Sequence, residues 1–152
     1  MIDTVYLPTA YLAPISYYRA LLSYHVMLEM NEHYIKQTYR NRCIITSANG
    51  IMPLSIPVTA TNDQCIRDVR ISDHGNWRHL HWHAITSAYS SSPFFEYYED
   101  DFAPFYEKKF DYLIDFNNRL QELICGLIDF KPVVENTKEY IHDVGSNAFD
   151  MR

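Results

Sequence analysis

Residues 2–30 read IDTVYLPTAYLAPISYYRALLSYHVMLEM, and the order of elements in this stretch decides the fold class. Ile2 to Leu7 alternates weakly and is rich in strand formers, and Pro8 stops the ladder because it has no N–H to donate. Pro14 has the fixed φ suited to a first helical position, and Ile15, Tyr18 and Leu22 follow at helical spacing up to about Tyr24. Val26 to Met30 reads as a second strand. A strand, helix, strand unit calls for a right-handed crossover between parallel strands, so the class expected is α/β.

Outward from this unit, Cys43 to Val58 reads as a β-hairpin, because Asn49-Gly50 supplies the two positive φ angles of a type I′ turn between strand-like flanks. Pro53 and Pro57 each remove a donor from the second arm, so they belong at an edge or a bulge. Thr59 to Gln64 is a polar loop, and Ile66 to Ile71 reads as another strand. From Asn76, a residue type suited to capping, the period changes: Trp77, His81, Ala84, Ile85 and Ala88 line one helical face. Ser90 to Pro93 ends that helix. Phe94 to Tyr98 and Phe102 to Tyr106 make one or two short aromatic helices around the acidic corner Glu99-Asp100-Asp101. Asp111 to Leu127 is the longest helix, with Leu113, Phe116, Leu120, Leu123, Ile124 and Leu127 inward. Pro132 to Glu135 reads as a last strand, and the polar, mixed residues 137–152 are expected to be loosely ordered. The whole is one α/β domain, a strand-helix-strand core with an inserted antiparallel β-hairpin and a helical second half, without internal repeats.

At 152 residues, 47% of them hydrophobic, the chain is long enough for a single domain with a real core. Its 13 Tyr and 8 Phe against 4 Gly imply an interior of large rings whose phenolic tips need partners. A formal charge of −6 and no basic run longer than two residues remove the footprint of duplex binding, so nucleic acid is not an expected partner. Cys43, Cys65 and Cys125 are odd in number and too widely spaced for a disulfide framework or a zinc knuckle, which points to a reduced, cytoplasmic compartment. The N-terminal run lacks a basic region and no apolar run is long enough to cross a bilayer, so neither signal peptide nor membrane span is expected.

Three alternate histidines, His79, His81 and His83, invite a metal reading, but only a strand would put them all on one face. The period is helical, His79 and His83 become neighbours at i, i+4, and the Glu of a His-Glu-x-x-His zinc site is missing. No metal and no cofactor are expected. His81 falls on the apolar face between Trp77 and Ile85, where it is either a satisfied core histidine or an acid/base group at a pocket wall. Arg40 and Arg42 share a face if Tyr39 to Arg42 is extended, with Lys36 near. Two guanidiniums there can grip a phosphate or carboxylate while tyrosine stacks on a base or sugar, or they can simply be solvated or paired to carboxylates. Gln37 and Asn41 are poor strand formers without charge, which singles them out. Asn117, on the buried face of the long helix, must be paired: it anchors a loop or points into a cavity. No glycine-rich phosphate loop, Gly-x-Ser-x-Gly elbow or kinase signature is present. Cys43 as a nucleophile has no local support.

The string Gln37-Thr-Tyr-Arg-Asn-Arg42, then Asn49-Gly50, Leu54-Ser-Ile-Pro-Val58, Trp77-x-x-x-His81-x-x-Ala-Ile85, Ala88-Tyr89, Ser92-Pro-Phe-Phe95 and Leu113-x-Asp-x-Asn117 resembles the WbqC-like protein family over about residues 5 to 137. The resemblance implies a bacterial cytoplasmic protein associated with surface-polysaccharide genes, and a transferase role on sugars, including amide-forming modification of an amino sugar. It marks Tyr89 and the residues above as site positions. The family's Trp-Gly-Tyr is altered here to Ala13-Pro14-Ile15-Ser16-Tyr17, and the acids after its second strand become Asn31-Glu32-His33. Family chains usually continue into a C-terminal portion, so the expectation is a single domain over 1–152, shortened or a fragment.

Two hypotheses follow. In the first, Arg40 and Arg42 hold an anionic donor or nucleotide-sugar phosphate, Tyr39 and Asn41 orient the sugar with Gln37, Tyr89 and Asn117 completing the site, and His81 is general base. In the second, the protein is a non-enzymatic binding or scaffold component of the same pathway and the arginines are structural. A nucleotidyltransferase-like reading rests on fold analogy alone. The partner expected is a small-molecule sugar or nucleotide-sugar; the oligomeric state is not legible.

Overall fold

The computed structural model describes residues 3–152, so Ile2, the start of the expected first strand, lies outside them. Strand β1 (Thr4–Leu7), helix α1 (Ile15–Ser23) and strand β2 (His25–Leu28) form the expected unit, with β1 and β2 parallel from Thr4↔His25 to Leu7↔Leu28. The apolar stripe of α1 is not the expected one: Ile15 and Leu22 point to solvent, while Tyr17, Ala20 and Leu21 are buried. Ala20 lets the helix approach the sheet face of Val5 and Val26, and the Tyr17 hydroxyl donates to the Pro8 carbonyl at 2.7 Å, which sets the rotation of the helix.

Beyond β2, strand β3 (Arg42–Ser47) and strand β4 (Gly50–Ser55) pair as the expected hairpin, with Cys43, Ile45 and Leu54 facing inward. The turn differs in type. Asn49 does not take a positive φ while Gly50 does, at 111°, so the two successive positive φ angles of a type I′ turn at Asn49-Gly50 are not present. Ile66 to Ile71 is not one strand: a 3-10 turn over Ile66–Asp68 precedes strand β6 (Arg70–Ile71), which pairs antiparallel with strand β5 (Val58–Thr59). Ile66 and Val69 are both fully buried, and a strand would have sent residues three apart to opposite faces.

Helices α2 (Trp77–Tyr89), α3 (Phe95–Glu107) and α4 (Leu113–Leu127) make up the second half. Asn76 precedes α2 with a left-handed φ of 51° and makes no capping bond. The aromatic segments merge into the single helix α3, which accommodates Pro104. Strand β7 (Val134–Asn136) pairs parallel to β2 as the expected last strand. It is not the last, because the tail expected to be loose carries strand β8 (Ala148–Asp150), parallel to β1 through Thr4↔Ala148. The backbone groups on the free edge of β1 take a partner there regardless of how polar its side chains are. The sheet order is β7-β2-β1-β8. The architecture is therefore mixed α/β, with a parallel sheet, an antiparallel hairpin and four helices mostly in the second half.

Two apolar clusters support it. One joins the inner faces of the sheet and α1 to Cys125 of α4; the other packs the inside of the hairpin on Trp77, Tyr106, Phe116 and Leu120, with Tyr11 at its centre.

Candidate functional site

His81 stands on the buried face of α2 where the helix crosses the hairpin, and it is 5% exposed. Its Nε2 lies 3.1 Å from the Ser55 carbonyl oxygen and its Nδ1 lies 3.0 Å from the Tyr11 hydroxyl. A carbonyl only accepts, so the proton is on Nε2 and Nδ1 accepts from Tyr11. The Tyr11 oxygen in turn accepts from Tyr106 at 2.8 Å. Burial pushes the His81 imidazole down to about 4, the Ser55 bond opposing it, so the ring is neutral at pH 7. Burial also raises the Tyr11 and Tyr106 phenols, and the Cys43 thiol is pushed up to about 12, which leaves it an inert core group.

Arg40 and Asn117 meet in the same interior. The Arg40 guanidinium is gripped bidentately by Glu32, with Nε and Nη2 donating at 2.6 and 2.7 Å, and both side chains are sealed from water. Asn117 donates through Nδ2 to the Arg40 carbonyl at 2.8 Å and to Thr9 Oγ1 at 3.1 Å, tying α4 to the loops after β1 and before β3. Asn117 Oδ1 has no hydrogen-bond partner among the described residues.

Gln37, Asn41 and Arg42 are on an open surface instead. With Tyr34, Lys36, Ser55, Val58 and Ala60 they line a cleft of about 310 Å³. Gln37 takes a left-handed φ of 58°, unusual for a residue with a side chain, and its carbonyl accepts Arg42 Nη2 at 3.0 Å. Asn41 clamps Ile56 by Nδ2 donating to its carbonyl at 2.9 Å and by accepting its N–H at 2.7 Å, while Asn41 Oδ1 has no partner. Neither Lys36 nor Arg42 has a salt bridge among the described residues, and no carboxylate lines the cleft. Tyr39 is exposed and outside the cleft lining, though its carbonyl accepts the Tyr11 N–H at 2.8 Å. Tyr89 ends α2, away from the cleft lining.

So Arg40 joins Asn117, Arg42 joins Gln37 and Asn41, and His81 touches the cleft only through the backbone of Ser55. The groups whose part sequence reasoning missed are the side chains of Glu32, Tyr34 and Tyr11 and the backbone carbonyl of Ser55. Glu32 was detectable as the acid nearest to Arg40, and Tyr34 as the aromatic two residues before Lys36; nothing in local pattern marks Tyr11 as the partner of a histidine in α2. Two larger hollows, of about 1140 and 620 Å³, flank α4 and contain none of these residues. His79 and His83 stack at 6.5 Å on the outer side of α2, and no group of three metal-ligating side chains converges among the described residues. Among those residues no helix is long and apolar enough to cross a membrane.

The model of the WbqC-like protein family matches residues 9–150, nearly the full chain. The chain belongs to the WbqC-like protein family. A curated relative, the uncharacterized protein Rv1507c of Mycobacterium tuberculosis, is 31% identical over 110 residues, covering 70% of this chain and 47% of its own length. This WbqC-like chain thus spans about half the length of the curated relative it matches. No solved structure matches it.

Proposed function

We propose that the cleft beside the hairpin binds the anionic group of a nucleotide-sugar, within a transferase that modifies a sugar or amino sugar for surface polysaccharide. The observation that carries this reading is electrostatic. In a chain of formal charge −6, Lys36 and Arg42 border one cleft with no carboxylate in its lining and, among the described residues, no salt bridge of their own. Such a surplus of donors suits phosphate oxygens. Arg42, braced by the Gln37 carbonyl, supplies a directional donor and Lys36 a point charge. Tyr34 offers a ring for a base or sugar, and Asn41 braces the wall through its bonds to Ile56. Arg40, Asn117 and His81 act as positioning residues: they hold the Tyr39–Arg42 segment and the Ser55 backbone that form the wall. A cytoplasmic setting belongs to the same reading, since Cys43, Cys65 and Cys125 are all free thiols.

Calorimetric titration with uridine-, guanosine- and thymidine-diphosphate sugars tests it. Binding of at least one is expected, weakened about tenfold or more by Arg42→Ala and by Lys36→Ala. Absence of binding across the panel, or indifference of both variants, overturns the reading.

The second reading, a non-enzymatic binding protein of the same pathway, is favoured by one specific observation: both nitrogens of His81 are engaged, by Tyr11 and the Ser55 carbonyl, and no histidine is among the residues lining the cleft. Nucleotide-sugar retained unchanged after incubation with amine and hydroxyl acceptors supports that version; a modified sugar supports the transferase.

A further inference from the structure

The four strands β7-β2-β1-β8 are parallel, so their carboxyl ends lie on one edge of the sheet, where open α/β sheets form their ligand crevices. The cleft already described does not occupy that edge. The segments leaving β2 and β7 do, and they enclose a separate cavity of about 550 Å³ lined by Asn31, Glu32, His33, Ile35, Tyr140 and His142.

Its wall is built. Glu29, completely buried at the end of β2, accepts through Oε1 from the Asn31 N–H at 2.9 Å and the Thr137 hydroxyl at 2.8 Å. Asn31 Nδ2 donates to the Thr137 carbonyl and hydroxyl oxygens at 3.0 and 3.1 Å, which fixes the amide and leaves its Oδ1 without a hydrogen bond. Charges around the cavity are already compensated: Glu32 by Arg40, and Glu29 and Asp150 by Arg152. The Arg152 guanidinium also lies over the Tyr140 ring at 5.1 Å, and Tyr140 meets His142 edge-on at 4.7 Å. His33 Nδ1 lies 3.6 Å from the Asp63 carboxylate, so what is left to a ligand is an amide oxygen, the His142 imidazole and the other nitrogen of His33, a phenol with part of its ring, and the side chain of Ile35.

That set suits a neutral, hydroxyl-rich ring: donors and acceptors are interspersed, and an aromatic surface receives the C–H face of a pyranose. It contrasts with the cleft across the same segment, where Tyr34, Lys36 and Gln37 face the cationic side while Asn31, Glu32, His33 and Ile35 face this cavity. We propose that the carboxyl-edge cavity is a monosaccharide site, binding an uncharged sugar ring through Asn31, His33, His142 and Tyr140. It deepens and rests on the sugar-handling reading above, and assigns the ring to a different place from the phosphate.

The test uses neutral probes that the cationic cleft has no reason to hold. Methyl glycosides of glucose, N-acetylglucosamine and galactose are titrated against the full chain while the imidazole signals of His33 and His142 and the Tyr140 ring signals are followed by NMR. Saturable shifts are expected with at least one glycoside, weakened about tenfold by Tyr140→Ala and unchanged by Arg42→Ala. No shift with any of the three, or shifts that persist undiminished in a folded Tyr140→Ala or His142→Ala variant, overturns the proposal. Glycoside binding without nucleotide-sugar binding leaves this site standing and removes the anion reading; nucleotide-sugar binding with silent His33, His142 and Tyr140 signals does the reverse.

Discussion

The residues lining the cationic cleft, among them Lys36, Gln37, Asn41 and Arg42, and the buried polar core that Arg40 joins use the same kinds of side chain in opposite ways. In the core, Arg40 gives two of its donors to Glu32, and His81 engages both nitrogens. In the cleft, Arg42 spends one bond on the Gln37 carbonyl and faces no carboxylate. Residues 36–41 form turns and the strand begins only at Arg42, so the extended Tyr39–Arg42 segment that would put both guanidiniums on one face does not form, and Arg40 and Arg42 are turned to different surroundings. Removing a core group leaves its partner buried and unpaired, whereas removing a cleft group leaves only solvent.

The sharpest way to break this contrast is Glu32→Ala. It strands a buried guanidinium, so a loss of about 3–5 kcal/mol is expected in urea unfolding; a loss under about 1 kcal/mol would mean that Arg40 finds water and belongs with the cleft. His81 comes next, through pH. Its folded value near 4 lies below the ordinary 6.5, so the neutral ring favours the fold above pH 6.5. As the pH falls toward 4 the unfolded chain takes up the proton first, and roughly 3 kcal/mol is lost. Replacing His81 by Phe should flatten that slope in denaturation curves measured across the same range, and an unchanged slope would place the titrating group elsewhere.

Asn117→Leu should remove about 1–3 kcal/mol by orphaning the Arg40 carbonyl and the Thr9 hydroxyl, read as a drop in the unfolding midpoint. Arg42→Ala marks the other side of the comparison: stability within about 0.5 kcal/mol of the parent, with the loss appearing only in nucleotide-sugar titrations. Tyr89→Ala, at an exposed position outside the cleft lining, should change neither binding nor stability by more than about 0.5 kcal/mol; a larger loss of affinity would extend the site along α2.

The parallel unit, the hairpin and the helical second half were legible because each depends on local signals: strand formers before Pro8, Asn49-Gly50, and the apolar period from Trp77. The helix face that carries His81 was legible for the same reason. Three features were not. The inward face of α1 depends on where Tyr17 finds an acceptor, the 3-10 turn at Ile66 on where two apolar side chains are buried, and β8 on an edge left open by β1; each is settled by distant chain. At the site, the polar residues Gln37, Asn41 and Arg42 were distinguishable by type, but their separation from Arg40 was not. Full burial of one guanidinium and only partial burial of the next follow from Glu32 being folded back against Arg40, a tertiary fact.

The pairing of Thr4 with Ala148 has a consequence for synthesis. The first strand is made more than a hundred residues before its neighbour on that side, so a nascent chain carries an unpaired β1 edge until Ala148–Asp150 has been made. Sheet closure is then a late, long-range event, and the growing polypeptide depends on chaperones or rapid pairing with β2 to keep that edge from joining another chain.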